Sequence, residues 1–207
     1  MLKVSEIVET IIGEAPSAGF PCVLIRLAGC NLACSWCDTA GRFSFGEDYA
    51  VKDLLEIVKE SLRPWALITG GEPLLRVETV ALARGLVGEN VAVLVETNGT
   101  MDISVLPPEV VKSVDCKTPS SGHAGSFRES NREFLSPRDA VKFVIADRRD
   151  FDWAIAEAGR LDFWPRAQVI FSPAGGHIKG AELARWILDE RYPIRLSAQL
   201  HKVWDIP

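Results

Sequence analysis

Cys30, Cys34 and Cys37 fall within eight residues, spaced C-x3-C-x2-C. One loop can bring three thiolates this close to a single metal centre. A structural zinc site or an electron-transfer iron–sulfur cluster normally takes four protein ligands. A trio leaves one position open, and an open position is where a metal centre binds a second molecule and does chemistry. Here that means a [4Fe–4S] cube with one free iron. Two plainer readings stand beside it: buried thiols without a metal, and a zinc site completed from a distance by Cys116, His123 or His201. The chain has no second C-x2-C pair to make a zinc ribbon.

A second stretch, Gly70-Gly71-Glu72-Pro73, pairs two glycines that admit a ligand close to the backbone with a carboxylate. Alone it could be a tight turn; one strand–helix unit after the cysteine loop it says more.

The elements that must position these residues follow from periodicity. Cys22–Gly29 is a near-continuous apolar run, a strand buried on both faces as in a parallel sheet. Apolar residues at 51, 54, 55, 58 and 62 give a helix over Val51–Leu62. Strands at Trp65–Thr69 and Val91–Glu96 flank a helix at Val77–Val87. Val110–Lys117 reads as a fourth strand, Ala140–Ile145 as a fifth and Gln168–Phe171 as a sixth. Helices over roughly 150–159 and Ala181–Asp189 and a last strand at Ile194–Ala198 complete the series. Pro119–Pro137, polar and rich in glycine and serine, reads as a long loop and a candidate substrate lid. Strands alternating with helices indicate a mainly parallel sheet, and the motifs follow strand ends, where such sheets place active sites. The expected fold is α/β: a partial, open (β/α) TIM-like barrel of about six parallel strands with few helices, one domain over residues 1–207.

Apolar residues make up 47% and charged residues 25% of the 207, an ordinary globular composition. The net charge of −5 argues against non-specific nucleic-acid binding. No apolar run approaches the roughly 20 residues of a membrane span, and the N-terminus lacks a signal-peptide core. A cytoplasmic setting is expected, where thiols stay reduced; five unevenly clustered cysteines suit a disulfide framework poorly.

Together, C-x3-C-x2-C after the first barrel strand and Gly-Gly-Glu-Pro after the second resemble the radical S-adenosylmethionine superfamily. Within it, the short chain and its flanking motifs resemble the 7-carboxy-7-deazaguanine synthases over nearly the whole length. That family turns 6-carboxy-5,6,7,8-tetrahydropterin into 7-carboxy-7-deazaguanine with loss of ammonia, on the way to deazapurines such as queuosine. The resemblance implies a [4Fe–4S] cluster on Cys30, Cys34 and Cys37, S-adenosylmethionine on its free iron, and Mg2+. It further implies a flavodoxin- or ferredoxin-type reductant and a homodimer.

Site residues carry over by motif. Gly71 and Glu72 would hold the methionine end of S-adenosylmethionine, with Trp36 near the adenine. Asp115, Cys116 and Lys117 match a cofactor-contacting segment that often reads Ser-Pro-Lys, and Phe171, Ser172, Pro173 and Ala174 match another. Thr39 matches the Mg2+ ligand, its hydroxyl being a hard oxygen donor; otherwise it is a turn or helix-cap threonine. For the substrate, the matches are Ile12, Gly13 and Glu14, where the family usually has a glutamine at 12 and a second glycine in place of Ala15. Thr69, Gln199, His201 and the terminal Pro207 complete that set. Arg26, a charge inside an apolar strand, either binds the substrate carboxylate through its fork or sits in a structural ion pair. A glycyl-radical activating enzyme shares the cysteine spacing, and a non-catalytic iron–sulfur or zinc module is the alternative of a different class. His123 and His177 have no assigned role.

Overall fold

In the computed structural model, residues 1–37 and 45–206 are described. Strands β1 (Leu2–Ile11) and β2 (Pro21–Leu27) form an antiparallel hairpin, and the short β3 (Glu47–Tyr49) pairs with the start of β1. Helix α1 (Val51–Ser61) leads to β4 (Trp65–Gly70), and α2 (Val77–Gly88) to β5 (Ala92–Thr97). Then come β6 (Val111–Asp115), β7 (Ala140–Ile145), α3 (Arg148–Arg160), β8 (Gln168–Pro173), α4 (Gly180–Leu188), β9 (Ile194–Leu196) and the single turn α5 (Leu200–Val203).

All nine strands make one sheet, ordered β3-β1-β2-β4-β5-β6-β7-β8-β9, parallel from β2 to β9. The two ends do not meet, so the barrel is open. The seven parallel strands are those that the sequence reads, and β3 and β1, which have no strand reading in the sequence, extend the sheet with antiparallel pairs.

Side-chain alternation splits the sheet into two faces. One carries Val23, Ile25, Ile68, Val95, Val141, Phe143 and Phe171, which pack with Leu54, Leu82, Phe151 and Leu183 of the helices into the main core. On the other face, Leu24, Leu67, Leu94 and Val111 stand in register across β2, β4, β5 and β6. They form a smaller apolar layer with Ile12, Ala15 and Cys22. Two residues further along the same strands the lining turns polar, and there the sheet curves around a cavity.

The stretch from Pro119 to Pro137 is not a free lid. It folds into short 3-10 turns at Pro119–Ser121 and Glu129–Phe134. Asn131, fully buried, donates to the carbonyls of Gly99 and Met101 and accepts from the Ile103 amide. Polar composition suggested a solvated loop; Asn131 instead turns inward and holds the segment to the backbone of the preceding loop.

Candidate active site

The cavity, about 720 Å³, is lined by residues of seven strands and of the loops at their C-terminal ends. Cys30, Cys34 and Cys37, none of them in a disulfide, all line it. Their loop is clasped from two sides. Ala33 N–H donates to His123 Nε2 at 3.0 Å, Ser35 N–H to the Ser121 carbonyl at 3.2 Å, and the Ser35 hydroxyl to the Ser120 carbonyl. The clasping turn is itself anchored: Asp150, in the first turn of α3, accepts from the Ser120 amide at 2.9 Å. On the other side, Asn98 Nδ2 donates to Asn31 Oδ1 at 2.9 Å and reaches Cys30 Sγ at 3.8 Å.

Among the described residues, no three His, Cys, Asp or Glu side chains converge tightly enough to hold one metal ion. The distant ligands a zinc site would need are each held by other contacts. Cys116 lies in the main core, where burial pushes its thiol far up. His123 accepts from Ala33, and the His201 ring lies against Gly13, where an added Cβ would overlap it. Three thiols on one braced loop at a cavity wall fit the larger cluster that takes three protein ligands.

A network of charges lies deeper. Lys142 Nζ, on β7, is 2.9 Å from Glu14 Oε1 and 3.2 Å from Asp115 Oδ1, its register partner on β6. Asp115 Oδ2 in turn meets Lys117 Nζ at 2.6 Å, and Lys117 lies over the Trp36 ring, 5.6 Å from its centroid. Burial pushes the Asp115 carboxyl up, but Lys117 and Lys142 outweigh it and hold it below the usual range. Lys142, desolvated yet faced by Asp115, Glu14 and Glu96, ends well above an ordinary lysine. Glu96 accepts from the Thr69 hydroxyl at 3.0 Å. Desolvation and the nearby Glu14 charge push it up to about 7 against the pull of Lys142. Arg26 Nε pairs with Glu6 Oε2 at 2.8 Å on the adjacent strand, so it does make an ion pair, and both residues line the cavity.

The structure gathers most of the residues read from the sequence on this one cavity. Trp36, Gly71, Asp115, Lys117, Ser172, Pro173 and Ala174 line it on the side read as the cofactor's. Gly13, Glu14, Arg26, Thr69, Gln199 and His201 line it on the side read as the substrate's. The C-terminal segment docks where expected, with Leu200 N–H donating to the Gly13 carbonyl at 2.9 Å.

Four side chains turn away. Ile12 fills the lower apolar layer, and Cys116 and Phe171 alternate onto the core face. Glu72, 1% exposed, accepts from the Thr97 hydroxyl and from the amides of Asn98 and Leu74, so its carboxylate ties two loops together behind the cavity. Thr39 and Pro207 lie outside the described residues. Glu6, Glu96 and Lys142 were missed, whereas Thr97 and Asn98, expected beside the same pocket, do line it. Lys142 and Glu96 carry the signal that picked out Arg26, a charge in an otherwise apolar strand; His177, unassigned in the sequence, also lines the cavity.

Comparison with known proteins agrees with this geometry. A model of the Radical SAM superfamily matches residues 24–114. The chain is 37% identical to a 7-carboxy-7-deazaguanine synthase of Koribacter versatilis, over 98% of this chain and 97% of that one. It is 35% identical to the synthase of Thermoplasma acidophilum, over 100% and 99%. The crystal structure of QueE from Escherichia coli superposes with a TM-score of 0.76 at 18% identity, covering 95% of this chain and 94% of the other, a likeness of fold. Open parallel sheet, three-cysteine loop and superfamily match define a radical S-adenosylmethionine enzyme, a class that implies a [4Fe–4S] cluster and S-adenosylmethionine. Within that class, the chain belongs to the 7-carboxy-7-deazaguanine synthase family. It is a radical lyase of queuosine biosynthesis. No helix among the described residues is long and apolar enough to cross a membrane.

Proposed function

We propose that this cavity binds 6-carboxy-5,6,7,8-tetrahydropterin beside the cluster and converts it to 7-carboxy-7-deazaguanine with release of ammonia. The observation that carries the reading is that the three-cysteine loop and the Glu14–Lys142–Asp115 network share one cavity.

Cys30, Cys34 and Cys37 hold the cluster. When bound, the cluster and S-adenosylmethionine supply the radical chemistry that opens the reaction. The residues of the chain bind, orient and exclude water. Gly71 offers its backbone to the cofactor; Trp36, Asp115, Lys117 and the Ser172–Ala174 segment flank it. Glu72 serves by holding Gly71 and Asn98 in place. Arg26, with Glu6 on its Nε, meets the substrate carboxylate; Glu14 accepts from the N–H edge of the pterin, with Gln199 and His201 close by. Ile12, Cys116 and Phe171 take part through backbone alone. Thr39, two residues past the last cysteine, is the residue proposed to supply a hydroxyl to Mg2+. The enzyme works as a single domain and a homodimer, reduced by a flavodoxin- or ferredoxin-type protein.

Anaerobically reconstituted protein, given S-adenosylmethionine, dithionite, Mg2+ and the pterin, should form 7-carboxy-7-deazaguanine and ammonia, and chelation of Mg2+ should slow it. Protein that carries its cluster and cleaves S-adenosylmethionine yet leaves the pterin untouched would overturn the reading.

A further inference from the structure

At the centre of the charge network stands a residue that no motif singled out. Lys142 is mid-strand in β7, its neighbours Val141 and Phe143 pointing into the opposite core. A buried ammonium is costly unless compensated, and this one is compensated from three elements: Glu14 after β1, Glu96 on β5 and Asp115 on β6. Its contact with Glu14 is one-sided. Nζ takes Oε1 at 2.9 Å, while Oε2 of the same carboxylate is buried and has no hydrogen-bond partner. A buried acceptor left unpaired is costly, so an orphan at a cavity wall points to a ligand that donates to it. With Oε1 tied, Oε2 is the oxygen left to meet that donor.

We propose that Lys142 is a positioning residue: it fixes Glu14 by one oxygen and presents the other to an N–H donor on the edge of a planar aminopyrimidinone substrate. This rests on the reading of the cavity as a pterin site. Asp115 keeps Lys117 when Lys142 is replaced, so the cofactor side is expected to be spared.

The test uses the full-length, reconstituted enzyme and four variants: Lys142→Met, Lys142→Arg, Glu14→Gln and the Lys142→Met/Glu14→Gln double. Loss of a charge-assisted bond predicts that Lys142→Met raises KM for the pterin roughly 10- to 100-fold, with kcat, iron content and S-adenosylmethionine affinity little changed. Lys142→Arg restores most of the affinity. In the double variant the losses are less than multiplicative, because both replacements remove the same contact. Lys142→Gln replaces Lys142→Met throughout if the latter does not fold. A wild-type KM in Lys142→Met, multiplicative losses in the double, or iron and cofactor affinity falling in parallel would each overturn the proposal. Wild-type turnover is measured alongside: an inert wild type overturns the functional reading and the lysine's place in it together, whereas an active wild type with an unshifted Lys142→Met overturns the lysine's role alone.

Discussion

Gly71 lies against Gly29, the residue that leads into the first cysteine: a Cβ on Gly71 would overlap the Gly29 carbonyl oxygen and sit 2.8 Å from Cys30 Cβ. The next amide, Glu72 N–H, donates to that same oxygen at 2.9 Å. Backbone contact between the two loops therefore sets where Cys30 stands. Gly71→Ala should cost roughly 1–3 kcal/mol through overpacking and lower iron occupancy on reconstitution. Gly88→Ala, at the end of α2 with open space around it, should leave iron unchanged. Equal iron content in the two variants would refute the account.

Glu72 is expected to matter for stability. Glu72→Ala leaves the Asn98 and Leu74 amides and the Thr97 hydroxyl without their buried acceptor, a loss of about 2–5 kcal/mol. Glu72→Gln, which keeps one oxygen, should lose less. Denaturant titration of the two variants checks the order; indistinguishable midpoints would contradict it.

Glu96 gives a pH signature. An unperturbed glutamate releases its proton near 4.5, whereas Glu96 holds its own up to about 7. Between those values the unfolded chain is ionised and the folded one protonated, so this group's contribution to stability falls as pH rises and is fully lost above pH 7. The total is on the order of 3 kcal/mol. Glu96→Gln cannot ionise, so its melting temperature should gain on wild type from pH 5 to pH 8; parallel curves would count against the raised value.

Ala15 sits at φ +71°, the left-handed region that favours glycine, and is buried. Left-handed backbone costs a residue with a Cβ roughly 1–2 kcal/mol, and a glycine returns part of that through its freer unfolded chain. Ala15→Gly should therefore stabilise the protein by up to about 1 kcal/mol, read from thermal or denaturant midpoints, and a destabilised variant would show that the turn tolerates its alanine without strain.

Local chemistry was legible in the sequence, and long-range pairing was not. The cysteine loop is legible because its ligands share eight residues, and β4 and β7 because strands covered on both faces read as apolar runs. β1 has Glu6 and Thr10 on the cavity and Lys3 and Glu9 exposed, so polar residues fall on both of its faces, which blurs its pattern. The Lys142–Glu14 bond joins positions 128 apart, and no local spacing predicts it. Glu72 shows the converse: its motif places it beside a cofactor, while the fold has Thr97, Asn98 and Leu74 occupy its carboxylate. Register decides which side of a strand each residue serves, which is why Asp115 faces the cavity and Cys116, one position on, does not.

The layer of Leu24, Leu67, Leu94 and Val111 lies one pleat before the polar lining, and its Leu24 and Leu67 reach the cavity itself, so part of the cavity floor is aliphatic. A molecule resting there meets hydrocarbon beneath it and the Arg26, Thr69 and Glu96 side chains above, so one with unlike edges is sorted by which edge it turns down.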